Sequence, residues 1–322
     1  LEFSGNGDFL AVGSPDADYV QVFRDNGGFW SRIGQTISWD GGGTFGYRLD
    51  INHYGTVIVV GVPRYDDARY DNVGLVQVYE YDQSGNRWSP RGQELQGSNE
   101  DAYFGWDVAI SDEGNIIACA ARLGDLVGKK DSGYAQVYSY SDSSRRWTQM
   151  GNSMVGEDTE DQFGRSLAIS GSGFRVAVGA PHAAGDKGRV YVFDFGSGSW
   201  NLVGTAIEGN EPETWHGAAV DLASNGTVVA IGAERYDSKA GVVKVYRQDG
   251  CCGWSQRGSF IHGENDGDLL GAAQVSLSKD GAFLGVGALG YSSEKGKAYL
   301  YQYVSQDWVL VGDDSGSDAG DK

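Results

Sequence analysis

Phe163-Gly164-Arg165-Ser166-Leu167-Ala168-Ile169-Ser170, then Gly171-Ser172-Gly173, then Phe174-Arg175-Val176-Ala177-Val178-Gly179-Ala180-Pro181: this stretch decides the fold. Its first eight residues alternate apolar side chains with small or polar ones, the two-residue period of a half-buried strand. The three small residues turn the chain, and the second run is apolar and small enough to be buried on both faces. A polar loop over 182–188 leads to a third strand at 189–195. A Gly/Ser turn over 196–199 then leads to a fourth strand that opens at Trp200. Four short antiparallel strands without a helical period describe one propeller blade.

The same unit recurs on both sides. Trp30, Trp88, Trp147, Trp200, Trp254 and Trp308 follow at intervals of 58, 59, 53, 54 and 54 residues. The opening pair recurs as Phe45-Gly46, Phe104-Gly105 and Phe163-Gly164, then as His216-Gly217 and Leu270-Gly271. Periods of this size mean that one supersecondary unit has been copied and buries its apolar face against its neighbours. Helical repeats of similar length are excluded, because no segment shows a 3.6-residue period. Residues 1–7 align with 167–173, and Trp308 to Gly312 completes a last fourth strand. The expectation is therefore an all-β, six-bladed β-propeller of four-stranded antiparallel blades over 1–312. An acidic Gly/Ser/Asp tail or linker follows at 313–322. Part of a seven-bladed ring is the alternative.

The repeated residues read as packing. Gly13, Gly61, Ala120, Gly179, Gly232 and Gly287 in the second strands suit a place where backbones crowd. The Trp that opens each fourth strand is expected to cover the seam between blades, where burial contributes about 2–3 kcal/mol. Trp39, Trp106 and Trp215 lie off this beat. Trp39 and Trp215 fall in or beside loops and are the better candidates for ligand contact.

Forty-four acidic residues against 25 basic ones give a net charge of −19. That balance disfavours nucleic acid and anionic membrane as partners, since phosphates are repelled. No run of 18 apolar residues occurs, so no membrane insertion is expected. The chain begins at Leu1 without a signal pattern, which reads as a processed product or fragment. Cys119 lies in an apolar strand and reads as a buried, inert thiol, whereas Cys251-Cys252 sits in a Gly-flanked turn expected to be exposed.

Phe163-Gly164 with Gly179-Ala180-Pro181 resembles the FG-GAP repeats of integrin α-subunit propellers and their relatives. Gly13-Ser14-Pro15 and Gly61-Val62-Pro63 are near matches, and Gly232-Ala233-Glu234 and Gly287-Ala288-Leu289 weaker ones. The resemblance covers the whole chain as a repeat pattern. Many such repeats carry an Asp-rich calcium loop between their first two strands. Here that connection is a tight turn, such as Asp112-Glu113-Gly114, too short for the roughly six to eight oxygen ligands of calcium. The family's calcium residues are therefore not carried over.

No Gly-x-Ser-x-Gly elbow, His-Glu-x-x-His helix or phosphate-cradling loop appears. The four histidines fall in different repeats. His216 stands where other copies have Phe, with lining of the axis as its functional reading. What remains is acidic. Fourth-to-first and second-to-third connections emerge on the same face, which gathers Asp101, Glu213, Asp66, Asp71 and Asp237 beside Arg64, Tyr65, Trp215, Arg235 and Tyr236. These are the candidate partner-binding residues. No cofactor is expected. The only metal candidates are Asp158, Asp161, Asp266 and Asp268, toward calcium. The functional expectation is a non-enzymatic binding or adhesion module, extracellular or at the cell surface, with an organelle lumen as the alternative. Its acidic loop face would engage a protein or glycan, basic partners included. A structural subunit of a larger assembly is the second reading, and a carbohydrate-active propeller enzyme the least favoured.

Overall fold

Each repeat forms one antiparallel sheet whose strands pair in chain order, so a blade is a simple meander. The computed structural model describes residues 1–126, 128–250 and 253–316. Blades one to six span 2–38, 49–96, 104–155, 166–208, 216–262 and 270–315. The fold is the expected six-bladed β-propeller of four-stranded antiparallel blades. Three single helical turns, Ala183–Asp186, Tyr236–Lys239 and Tyr291–Glu294, sit between the second and third strands of the last three blades. The last strand runs from Asp307 to Ser315, and residues 317–322 of the expected tail lie outside the described residues, as do Cys251 and Cys252. Cys119 is fully buried, and burial pushes its thiol pKa up. By internal contacts the chain forms two compact units, the first holding blades one to three with Gly171–Gly173 and Ser197–Trp200 of blade four, the second the rest of blade four with blades five and six.

In the first unit the Phe-Gly pair locks neighbouring blades. Phe104 is fully buried and bridges in parallel to Gly74 of blade two. A Cβ on Gly61 would run into the Gly105 carbonyl, so the second strand needs glycine where the next blade's turn crosses it. A second lock lies nearer the rim. The Trp88 indole N–H donates to the Ile33 carbonyl of blade one at 3.3 Å, and its backbone N–H donates to Gln35 Oε1 at 2.9 Å. Trp147 repeats this on Arg91 and Gln93, and Trp200 on Met150 and Asn152. Gly34 has φ +65°, and a Cβ there would stand 2.6 Å from the Trp88 ring. Trp88 is 2% exposed, whereas Trp30, which packs edge-on against Phe3 of its own blade, is 43% exposed.

The second unit is built the same way. Gly179 lies under the Gly217 carbonyl and Gly232 under that of Gly271. The Trp308 indole donates to the Arg257 carbonyl at 2.8 Å. Nearer the first strands, the Asp221 carboxylate accepts from the backbone of Leu222 at 2.7 Å and of Leu277 in the next blade at 2.6 Å. Burial raises the Asp221 pKa to about 6, against these two hydrogen bonds. Asp50 makes the same clamp in the first unit, on Ile51 and Ile110. His216 is fully buried in the place of Phe, not exposed at the axis, and neither ring nitrogen has a hydrogen-bond partner among the described residues.

Candidate active site

The second unit brings together charged groups from three separate stretches of chain. After Pro181 the chain enters the turn Ala183–Asp186, wound through left-handed conformations at Ala184 (φ 57°) and Gly185 (φ 69°). This winding returns Asp186 onto His182, with Nδ1 to Oδ1 at 2.6 Å. The Asp186 carbonyl then accepts from the backbone of Trp215 at 3.2 Å. Trp215 has φ 58°, a rare value for an aromatic residue, and its ring centroid lies 4.6 Å from that of His182. Arg235 is tied by its backbone N–H to the Thr214 carbonyl at 3.2 Å, and its guanidinium sits 3.4 Å over the Trp215 ring.

Glu234 precedes Arg235, at the position held by Pro63 and Pro181 in other copies. Burial raises its carboxyl pKa; the opposing charges are those of Arg165, Arg235, His182 and Lys239, in that order. Glu234 therefore shares one electrostatic neighbourhood with an imidazole and the cations Arg165, Arg235 and Lys239. The His182 side chain is partly exposed. A carboxylate on Nδ1 fixes the imidazole tautomer and leaves Nε2 as the base. The cluster thus offers an oriented base, an acid of raised pKa and positive charge for a developing anion.

Of the residues singled out in the sequence, Trp215 and Arg235 belong to this cluster. Tyr236 lies beside it, its ring 5.7 Å from that of His262, while Glu213 and Asp237 point no further than the exposed loop. In the first unit, Asp66 and Asp101 both accept from Asn72, and the Asp71 carbonyl accepts from the Asp101 backbone. Tyr65 packs edge-on against Trp39, and the Arg64 backbone donates to Gly43. These acids hold the loop together. Asp161 accepts from the Asp158 backbone, and Asp268 from that of Asn265, each at 2.8 Å. Both carboxylates thus cap turns, and among the described residues no three His, Cys, Asp or Glu side chains gather as a metal site.

From sequence alone His182, Asp186, Glu234 and Arg165 had no role as candidate site residues, although His182 counted among the scattered histidines and Glu234 among the acids of the loop face. Two signals were present: the His-x-x-x-Asp spacing in the 182–188 loop, and an acid where the repeat has Pro.

The FG-GAP repeat family model matches residues 156–193, which carry the first three strands of blade four. The chain is an FG-GAP-like propeller. No curated protein matches it. Among solved structures, the propeller is similar to a proposed 6-phosphogluconolactonase from Bacteroides uniformis, with a TM-score of 0.63 and 14% identity over 95% of this chain and 82% of that one. It is equally similar to a periplasmic gluconolactonase from Pseudomonas aeruginosa, with a TM-score of 0.63 and 17% identity over the same shares. These neighbours correct the expectation of a non-enzymatic binding or adhesion module, and with it the reading that the chain is no enzyme. The physical reason lies in how a propeller builds a site. Its reactive groups come from loops of different repeats, so the absence of a contiguous catalytic motif says nothing about catalysis.

Proposed function

We propose that this FG-GAP-like propeller is a lactonase-type hydrolase with its active site at the His182 cluster. The observation that carries this reading is the 2.6 Å contact between His182 Nδ1 and Asp186 Oδ1 on a loop face shared with Glu234 and Arg165. The shared fold of two lactonases supports the reaction class. The substrate is a cyclic ester of a sugar acid, and Arg165 and Arg235 favour an anionic one.

In this mechanism His182 Nε2 takes a proton from water as its oxygen adds to the lactone carbonyl. The negative charge forming on the carbonyl oxygen faces Arg165 and Arg235. The ring C–O bond then breaks, and Glu234 gives its proton to the departing alkoxide. One water is consumed and one hydroxy acid released, and proton exchange with solvent resets both groups.

The test is acid release from gluconolactone and from its 6-phosphate, measured above spontaneous hydrolysis. His182→Ala should lower kcat/KM by about 10²–10³, within the range of a lost general base. Because Glu234 acts protonated and its pKa is raised, the rate should fall as pH climbs through that pKa, and Glu234→Gln should erase this limb. A wild-type rate no greater than the spontaneous one with both lactones sinks the proposal.

A further inference from the structure

In blades one to three the third strand carries a glutamine that is satisfied inside its own blade. Gln21 Nε2 donates to Thr36 Oγ1 at 3.0 Å, Gln77 to Glu94 Oε1 at 3.0 Å and Gln136 to Ser153 Oγ at 2.9 Å. In blade five both members of this pair are replaced. Lys244 stands in the place of the glutamine, opposite Ile231 as Gln77 stands opposite Val60, and Phe260 stands in the place of Glu94. A hydrogen bond is thereby lost and a charge gained.

Lys244 is 2% exposed, yet among the described residues its ammonium has no hydrogen-bond acceptor and no carboxylate within 4 Å. Its neighbours are rings: Nζ lies 4.7 Å from the centroid of Phe260 and 5.8 Å from that of Tyr236. Cation–π attraction restores only part of the hydration that burial removes, and a ring does not take up the N–H donors as an oxygen does. Burial lowers the Lys244 pKa, and the charge of Glu211 opposes this from beyond contact. The rim of the site is open. Tyr236 and Phe260 are half-buried, and the exposed His262 ring lies 5.7 Å from Tyr236 and 6.4 Å from Phe260. Its nitrogens have no partner among the described residues.

The loops that build this site also build the His182 cluster. Tyr236 follows Arg235, the Arg235 backbone donates to the Thr214 carbonyl, and the Thr214 hydroxyl donates to the Glu211 carbonyl at 3.0 Å. All of these residues belong to the second unit.

We infer that Lys244 and His262 form an anion subsite that takes the phosphate or carboxylate group of a bound small molecule. The ammonium supplies charge and unused donors, the imidazole a further N–H, and charge-assisted bonds of this kind are the strong ones. The subsite deepens the lactonase reading and, in assigning the anion to the substrate, rests on it. Its occupant is then the non-reacting anionic group of a sugar lactone, such as a 6-phosphate.

The first probe is inorganic phosphate, titrated by calorimetry at constant ionic strength, with acetate as the carboxylate arm. Saturable binding is expected, and the tighter of the two names the group. Lys244→Gln, which restores the side chain of blades one to three, should fold and weaken binding at least about tenfold. His262→Ala, at an exposed position, is the second variant and should weaken it less. The second probe is the pair gluconolactone 6-phosphate and gluconolactone. Lys244→Gln should cut the preference for the phosphorylated lactone by about tenfold, through KM rather than kcat, because the contact is made equally in ground and transition states. No saturable binding of either anion at tens of millimolar overturns the site. So does equal binding by wild type and Lys244→Gln. An unchanged lactone preference overturns its assignment to the substrate. Inertness toward both lactones, with Lys244-dependent phosphate binding intact, sinks the lactonase reading and leaves the anion site standing.

Discussion

Blades two and four build the same socket for the residue that opens the next blade, from Gly74 and Gly97 around Phe104 and from Gly188 and Gly209 around His216. Phe104 fills the first with a ring that has no polar atoms to satisfy, and it is fully buried. His216 fills the second with a similar shape and two nitrogens that find no partner among the described residues. Burial, and after it the charge of Lys244, lowers the His216 pKa to about 3, so the imidazole sits there neutral. The equivalent place in blade five holds Leu270 against Gly241, so what recurs is the glycine-lined space and not a ring, and His216 occupies it despite its nitrogens. The difference costs stability, because a buried polar group without a hydrogen bond is expensive.

The largest expected effect tests the apolar guest. Phe104→Ala should lower unfolding free energy by about 3–5 kcal/mol, the usual range for emptying a buried Phe site, as read from denaturant midpoints. The next concerns pH. His216 has a folded pKa near 3 and an unfolded one near 6.5, so between these values the unfolded state binds the extra proton. Stability should therefore fall as pH drops through this window, by about 1.4 kcal/mol per pH unit at most from this group. Asp221 acts in the opposite sense. Its folded pKa of about 6 lies above the ordinary range of an aspartate carboxyl, so its contribution is present at low pH and lost as pH rises through 6. Comparing melts of wild type and His216→Phe separates the two: the variant should lose the acid-side decline and keep the Asp221 trend. If both proteins show the same pH slope, His216 is not the group responsible. The smallest effect is at neutral pH, where His216→Phe should stabilise by about 1–2 kcal/mol, the penalty of the unsatisfied nitrogens.

The scaffold was legible because the constraint that shapes it is applied once per blade. Phe45, Phe104 and Phe163 with their glycines, and Trp88, Trp147 and Trp200, recur because each seam poses the same packing problem. His216 was visible as an exception, but its place in a closed socket was not, since the sequence does not reveal which apolar surfaces surround a residue. The candidate site obeys no period. His182, Trp215 and Glu234 lie in loops whose lengths differ from copy to copy, and left-handed residues such as Ala184 and Trp215 orient them. Those conformations are imposed by the loop's own hydrogen bonds, which no propensity scale anticipates. Acidic residues misled for a related reason. Asp66 and Asp101 look like a docking surface in the sequence and Asp161 and Asp268 like metal ligands, yet Asp66, Asp161 and Asp268 each accept a backbone N–H of their own loop and Asp101 ties its loop to Asn72.

The Trp seam carries a consequence for how such a chain can grow. Each lock is split between two copies: the indole comes from one repeat, while the carbonyl and the glycine beneath it come from the repeat before, as with Trp88 on Ile33 and Gly34. Trp88, Trp147, Trp200 and Trp308 each make such a plug, whereas the Trp254 indole N–H finds no partner among the described residues. A duplicated repeat that carries the plug arrives already compatible with both flanking neighbours, wherever it is inserted. Gene duplication can then lengthen or shuffle the array without new compensating mutations at the joints. The loops, which take no part in the lock, remain free to diverge, and that freedom is how one repeat could acquire His182 and Asp186 while its siblings did not.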